Sequence, residues 1–233
     1  MKVIIFGATG MIGQGVLREC LLDARVERVL IVVRRSTGEH HDKLREIVHE
    51  DFGDLASIEG ELAGYDACFY CLGVSSVGMS EADYTRVTYD YAMAAARVLA
   101  RLNPALTFVF ISGAGTDGTE RGTSMWARVK GKTENALLAL PFKASFMFRP
   151  AMIIPQHGIV SRTRLYRIVY AIIGPLYPVL KALLPSIVTT TDNVSKAMLL
   201  VAADAGATKK KVLENRDINE LVAGDAGAPT AAT

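Results

Sequence analysis

Cysteine is scarce in this chain, with three in 233 residues: Cys20, Cys68 and Cys71. So few thiols, each among apolar neighbours, exclude a disulfide framework and point to a reducing, cytoplasmic setting. Cys68 and Cys71 stand three apart, but a redox couple needs its first thiol near a helix N-terminus. They fall instead in an expected strand, Ala67 to Leu72, where residues three apart face opposite sides. Core packing is therefore the expectation. Histidine is nearly as rare. His40 and His41 are adjacent and His49 has no Cys or carboxylate at ligand spacing, so no metal is expected and the histidines belong to a solvated helix face.

A marked excess of charge is missing too. The net charge of +2 is too small to point to nucleic acid as a partner. The apolar N-terminus is broken at Gly7, too soon for a secretory signal. No apolar run reaches the ~20 residues of a membrane-spanning helix. Ile168 to Leu180 comes nearest, and Gly174, Pro175 and Pro178 interrupt it. Asp and Glu are absent from Asn135 to Thr191, which carries Lys143, Arg149, Arg162, Arg164, Arg167 and Lys181. Residues 160–190 are expected to form a lid-like helical insertion over a substrate pocket or a subunit interface. The alternative is a peripheral contact with anionic lipid through residues 162–184.

What is present is concentrated at the N-terminus. Val3 to Phe6 has the β-branched and aromatic content of a strand buried on both faces. Gly7, Gly10 and Gly13 follow, and Ile12, Val16, Leu17 and Leu21 then recur at helical spacing. The spacing is GxxGxxG rather than the commoner GxGxxG. The order of strand, glycine turn and helix suits a dinucleotide pyrophosphate, which needs a tight turn, close backbone approach and free N–H groups at a helix start. Gly7, Thr9, Gly10, Met11, Ile12 and Gly13 are the candidate phosphate-binding residues.

Arg28 to Val33 is a second buried strand, ending in Arg34-Arg35. An acidic residue here bonds the ribose 2′-hydroxyl of NAD, whereas arginine suits the 2′-phosphate of NADP. NADP(H) is therefore favoured over NAD(H). Asp54 and Leu55 are candidates for the adenine end, and Cys71, Leu72 and Gly73 for the close approach of backbone to cofactor. Asp42 to Glu50 is expected to be a short polar helix, or a helix running into a strand near Ile47-Val48.

Glu81 to Arg101 is expected to be one long helix carrying Tyr84, Tyr89 and Tyr91. Its alanines also make it a candidate homodimer interface. Strands at Leu106 to Ile111, Ala144 to Phe148 and Lys211 to Glu214 alternate with helices at Met125 to Leu140, Asp192 to Ala203 and Ile218 to Val222. Such alternation predicts an α/β, Rossmann-like, doubly wound and mainly parallel sheet. Residues 1–223 form a single domain in this reading, and 224–233 a disordered tail.

Several stretches carry a family resemblance. They are Gly7-Ala8-Thr9-Gly10-Met11-Ile12-Gly13, Cys71-Leu72-Gly73, Ile111-Ser112-Gly113-Ala114-Gly115, Val129-Lys130-Gly131-Lys132-Thr133-Glu134, Phe148-Arg149-Pro150 and Leu213-Glu214-Asn215. In order and spacing the chain resembles the short-chain dehydrogenase/reductase superfamily. Within it, the chain is most similar to the atypical, Tat-interacting-protein-like branch of the NAD-dependent epimerase/dehydratase and NmrA-like relatives. The resemblance implies a Rossmann-like NADP(H) domain, with Pro150 and Met152 also near the cofactor. It also implies a hydride-transfer site in which a serine holds the substrate carbonyl, a tyrosine moves the proton, and a lysine lowers the tyrosine's pKa and bonds the ribose.

Ser112 and Lys130 occupy the serine and lysine positions. Trp126 stands where the tyrosine is expected, and an indole N–H has no useful acid–base chemistry. The expectation is an NADP(H)-binding oxidoreductase or epimerase-type enzyme acting on an unidentified carbonyl compound. The alternative is a non-catalytic NADP(H)-responsive sensor or scaffold.

Overall fold

The computed structural model describes residues 1–159 and 187–226. Seven parallel strands form the central sheet: β1 (Lys2–Phe6), β2 (Arg28–Val33), β3 (Leu44–Val48), β4 (Ala67–Tyr70), β5 (Thr107–Ile111), β6 (Ala144–Arg149) and β9 (Val212–Glu214). They lie in the order β3-β2-β1-β4-β5-β6-β9. The chain starts in the middle, builds outward through β2 and β3, then returns to build the other half from β4. The register places Lys2 beside Arg28 and Val3 beside Ala67.

Successive residues of β1 feed opposite cores, which explains its uninterrupted apolar run. Val3 and Ile5 pack on one side with α1 (Met11–Leu22), α5 (Thr191–Ala203) and α6 (Asn215–Ala226), through Val16, Cys20, Val194, Met198 and Ile218. Ile4 and Phe6 pack on the other side with α3 (Tyr91–Leu102), through Ala92, Ala96 and Leu99. The alanines bring α3 close to the sheet, and the rings of Phe6, Tyr70, Phe108 and Phe110 fill the space beneath. Cys68 joins this second core while Cys71, just beyond β4, packs against the first.

Several elements differ from expectation. The strand expected near Ile47-Val48 is present but starts at Leu44 with no helix before it, because pairing with β2 overrides the local polarity of Arg45 and Glu46. His49 therefore follows a strand, and its Nε2 lies 2.7 Å from the carbonyl oxygens of both Asp51 and Asp54, pinning the next turn. The expected long helix is interrupted: α2 (Glu81–Thr85) passes through a π-helical turn, Arg86–Asp90, into α3. A separate two-stranded ribbon, β7 (Met152–Ile154) with β8 (Val188–Thr190), was not anticipated. Of the expected lid, residues 160–186 lie outside the described residues. The last helix begins at Asn215 and reaches Ala226, so the first residues of the expected tail are helical.

The C-terminal half is tied by one arginine. Arg149, at the end of β6, donates from Nε to both oxygens of Glu134 at 3.0 and 3.2 Å and from Nη2 at 2.6 Å. Its Nη1 reaches Glu214 of β9 at 3.1 Å. Glu134 lies on α4 (Met125–Leu138) with its side chain 2% exposed. Breaking a buried pair from one side leaves an uncompensated charge. Glu134→Ala is therefore expected to cost about 3 kcal/mol of unfolding free energy in a urea titration, whereas losing the exposed pair in Arg216→Ala should leave the urea midpoint at the wild-type value.

Candidate functional site

The turn after β1 is built from glycines with separate physical duties. Gly7 has φ +80°, and a Cβ there would lie 2.5 Å from the Leu72 amide nitrogen. Gly10 donates its N–H to the Gly7 carbonyl at 2.9 Å and caps α1 with no side-chain hydrogen bond. Gly13 presses α1 onto the turn, since a Cβ there would fall 2.0 Å from the Gly7 oxygen. Gln14 Nε2 donates to the Thr9 carbonyl at 3.1 Å and braces the loop. No acidic residue stands in the first turn of α1, so its positive end is left for an anion.

This turn opens onto the crevice between β1 and β4, where the two halves of the sheet diverge. The inner crevice is lined by Gly7, Thr9, Gly10, Val32, Val33, Arg34, Phe52, Cys71, Leu72 and Gly73. A Cβ on Gly73 would meet nothing within 4 Å. The outer part, about 560 Å³, is lined by Thr9, Arg34, Arg35 and Glu50. Among the described residues, neither arginine forms an ion pair or hydrogen bond. Of the two adenine-end candidates, the Asp54 carboxylate is exposed and accepts the Ala56 N–H at 2.9 Å, and Leu55 is buried in the α3-side core.

The expected reaction end lies at β5 and α4. Lys130 Nζ donates to the Ser112 carbonyl at 2.8 Å and to the Ile111 carbonyl at 3.4 Å. Burial strips water from the ammonium and pulls its pKa down to about 8, against the opposing influence of Glu134 one turn later. Ser112 Oγ lies 2.8 Å from Thr116 Oγ1, which itself donates to the Gly113 carbonyl at 2.8 Å. Ser112 is therefore the donor in its pair with Thr116 and keeps its lone pairs.

Trp126 lays its six-membered ring against Gly115, whose Cβ would stand 3.4 Å from Cη2. Gly115 has φ +85°, which lets this loop turn beneath the indole. The tyrosines of the α2–α3 segment are engaged in packing: Tyr84 is buried, Tyr89 lies under Lys132 Nζ at 4.5 Å, and Tyr91 meets Phe52 edge-on.

The carbonyl of Pro150 accepts the Ala114 N–H at 3.0 Å, holding the β6 exit beside the β5 exit. Met152 starts β7. Asn215 Oδ1 accepts from Ala151 N–H at 3.2 Å. Sequence reasoning missed Glu50, Thr116 and Glu134. The last two stand four residues beyond Ser112 and Lys130, a spacing that could have drawn attention to them.

The glycine cradle, the uncapped helix start and the two guanidiniums lining the crevice fit a dinucleotide. Comparison with known proteins agrees. Residues 3–133 match the NAD dependent epimerase/dehydratase family. Protein HTATIP2 of Rattus norvegicus is 27% identical over 155 residues, covering 66% of this chain and 63% of the rat protein, so the match spans less than two thirds of that relative. Protein FMP52, mitochondrial, of Eremothecium gossypii is 25% identical over 236 residues, covering 95% of this chain and 97% of its own. In fold, the chain resembles MoeE5 in complex with UDP-glucuronic acid and NAD: TM-score 0.66, 18% identity, 91% of this chain and 75% of that one.

Two glycine substitutions should separate folding from binding. Gly13→Ala forces α1 off the turn and is expected to lose about 2 kcal/mol of stability together with dinucleotide binding. Gly73→Ala has room in the protein, so its melting temperature should stay at the wild-type value while calorimetric affinity for a dinucleotide falls.

Proposed function

The chain belongs to the NAD dependent epimerase/dehydratase family, and from this we propose that it is an NADP(H)-binding oxidoreductase acting on a small carbonyl compound. The observation that carries this reading is Arg34 and Arg35, which line the same crevice as the glycine turn and have no partner among the described residues. The first-turn amides of α1 hold the pyrophosphate, and the absence of a Cβ at Gly10 lets it approach. A guanidinium offers a planar fork matched to phosphoryl oxygens, which supports recognition of a 2′-phosphate.

When bound, the dinucleotide supplies or accepts the hydride. The remaining work falls to the chain's own residues. Two of the three Lys130 N–H bonds are spent on the Ile111 and Ser112 carbonyls, leaving one for a ribose or substrate oxygen. A lysine with a pKa near 8 is protonated at neutral pH and can release that proton, the task for which Trp126 is unsuited.

Titration calorimetry tests the binding. NADPH should bind about tenfold tighter than NADH, and Arg34→Ala/Arg35→Ala should abolish the preference for NADPH. Equal or tighter binding of NADH by the wild type would refute the arginine argument, and no binding of either would refute the function.

A second reading, a dinucleotide-responsive sensor, is favoured by Trp126. Single-turnover oxidation of bound NADPH by aldehydes, ketones and quinones separates the two. Turnover lost in Lys130→Met supports the enzyme, and intact binding with no turnover supports the sensor. For the enzyme, the reduction rate should be level below about pH 8 and fall as pH rises through that value, because the donating form of Lys130 is the protonated one.

A further inference from the structure

The outer crevice holds an acid that the cofactor reading leaves unused. Glu50 lies two residues beyond the end of β3 and lines the same space as Thr9, Arg34 and Arg35. This is not the β2-end position where an acidic residue ordinarily meets the ribose, because Arg34 and Arg35 follow β2 here. Among the described residues, Glu50 forms no ion pair and no hydrogen bond, and it is exposed. Two guanidiniums and one carboxylate thus share a crevice without pairing.

Guanidinium and carboxylate are able to pair with each other, but among the described residues these do not, so each is open to a ligand in the crevice. A carboxylate is acceptor-only and needs a donor, which a ribose hydroxyl supplies. The guanidiniums are donor-only and need the oxygens of a phosphate. A carboxylate beside them also repels a phosphate dianion while favouring a neutral ribose.

Building on the NADP(H) reading above, we propose that Glu50 is a specificity-determining residue: it accepts a ribose hydroxyl and holds down the preference for a 2′-phosphate that Arg34 and Arg35 create. The arginines and Glu50 pull in opposite directions, so the preference for NADPH is kept moderate rather than abolished. Removing the charge moves the two affinities apart by tightening NADPH through relief of repulsion, and removing the side-chain oxygens as well loosens NADH by loss of an acceptor.

The test is calorimetry of NADPH and NADH on the full chain, comparing wild type with Glu50→Gln, Glu50→Ala and Glu39→Gln. Glu39 is an exposed acid on the neighbouring loop that does not line the crevice. The ratio of NADPH to NADH affinity should rise about fivefold in both Glu50 variants, and less at high salt, where exposed charges are screened. Glu39→Gln should leave it unchanged. An unchanged or falling ratio in the Glu50 variants overturns the proposal, as does an equal rise in Glu39→Gln, which would mark a diffuse field. Silence of every protein toward both dinucleotides would instead overturn the cofactor reading beneath it.

Discussion

The fold depends on how closely α1 can approach the end of β1. A Cβ at Gly13 would lie 2.0 Å from the Gly7 carbonyl oxygen, and a Cβ at Gly7 would lie 2.5 Å from the Leu72 nitrogen. The helix start, the end of the first strand and the exit of the fourth strand therefore meet backbone to backbone. From this seam follow the direction of the α1 axis, the width of the crevice and the exposure of the helix N-terminus. Larger residues would move all three together, since close-packed interiors do not deform by small steps.

A second constraint holds the opposite end of the site. Lys130 is placed by two carbonyls of the β5 exit, and its helix is anchored one turn later where Glu134 receives Arg149. Gly131 lets that helix touch the preceding loop, as a Cβ there would be 1.8 Å from the Asp117 oxygen. Asp117 in turn gathers the loop, its carboxyl held down at about 2 by the Thr119 hydroxyl and the amides of Gly122, Thr119 and Arg121. The site thus combines a purely steric end, made by glycines, with a polar end, made by charges and carbonyls.

This division explains what was legible in the sequence. Strands buried on both faces announce themselves as apolar runs, and Arg28 to Val33 was read to the residue. The glycine turn was equally plain, because only glycine fits there. Leu44–Val48 was legible only at its Ile47-Val48 end, since an edge strand exposes one side and the polar residues Arg45 and Glu46 mimic a helix. The ribbon of β7 and β8 joins residues far apart in the chain, so no local pattern signals it. The π-helical turn is equally silent, because its residues suit an α-helix. Ser112 and Lys130 were found by spacing from a family pattern, whereas the commitment of the serine hydroxyl to Thr116 depends on a loop conformation. Glu50 gave no local signal, because it shares its crevice with two arginines that follow a different strand.

The two outer strands give the sheet a further property. A parallel sheet ending in bare strands offers unpaired amides and carbonyls to any other extended chain. Here β9 is only three residues long, and Glu214 at its end is occupied by Arg149. On the other border, Arg45 is engaged with Glu61 at 2.7 Å, and Glu46 accepts the Thr37 N–H at 2.9 Å. Charged side chains and brevity thus guard both margins, so that a hydrophobic seven-stranded sheet can stop growing at its own ends.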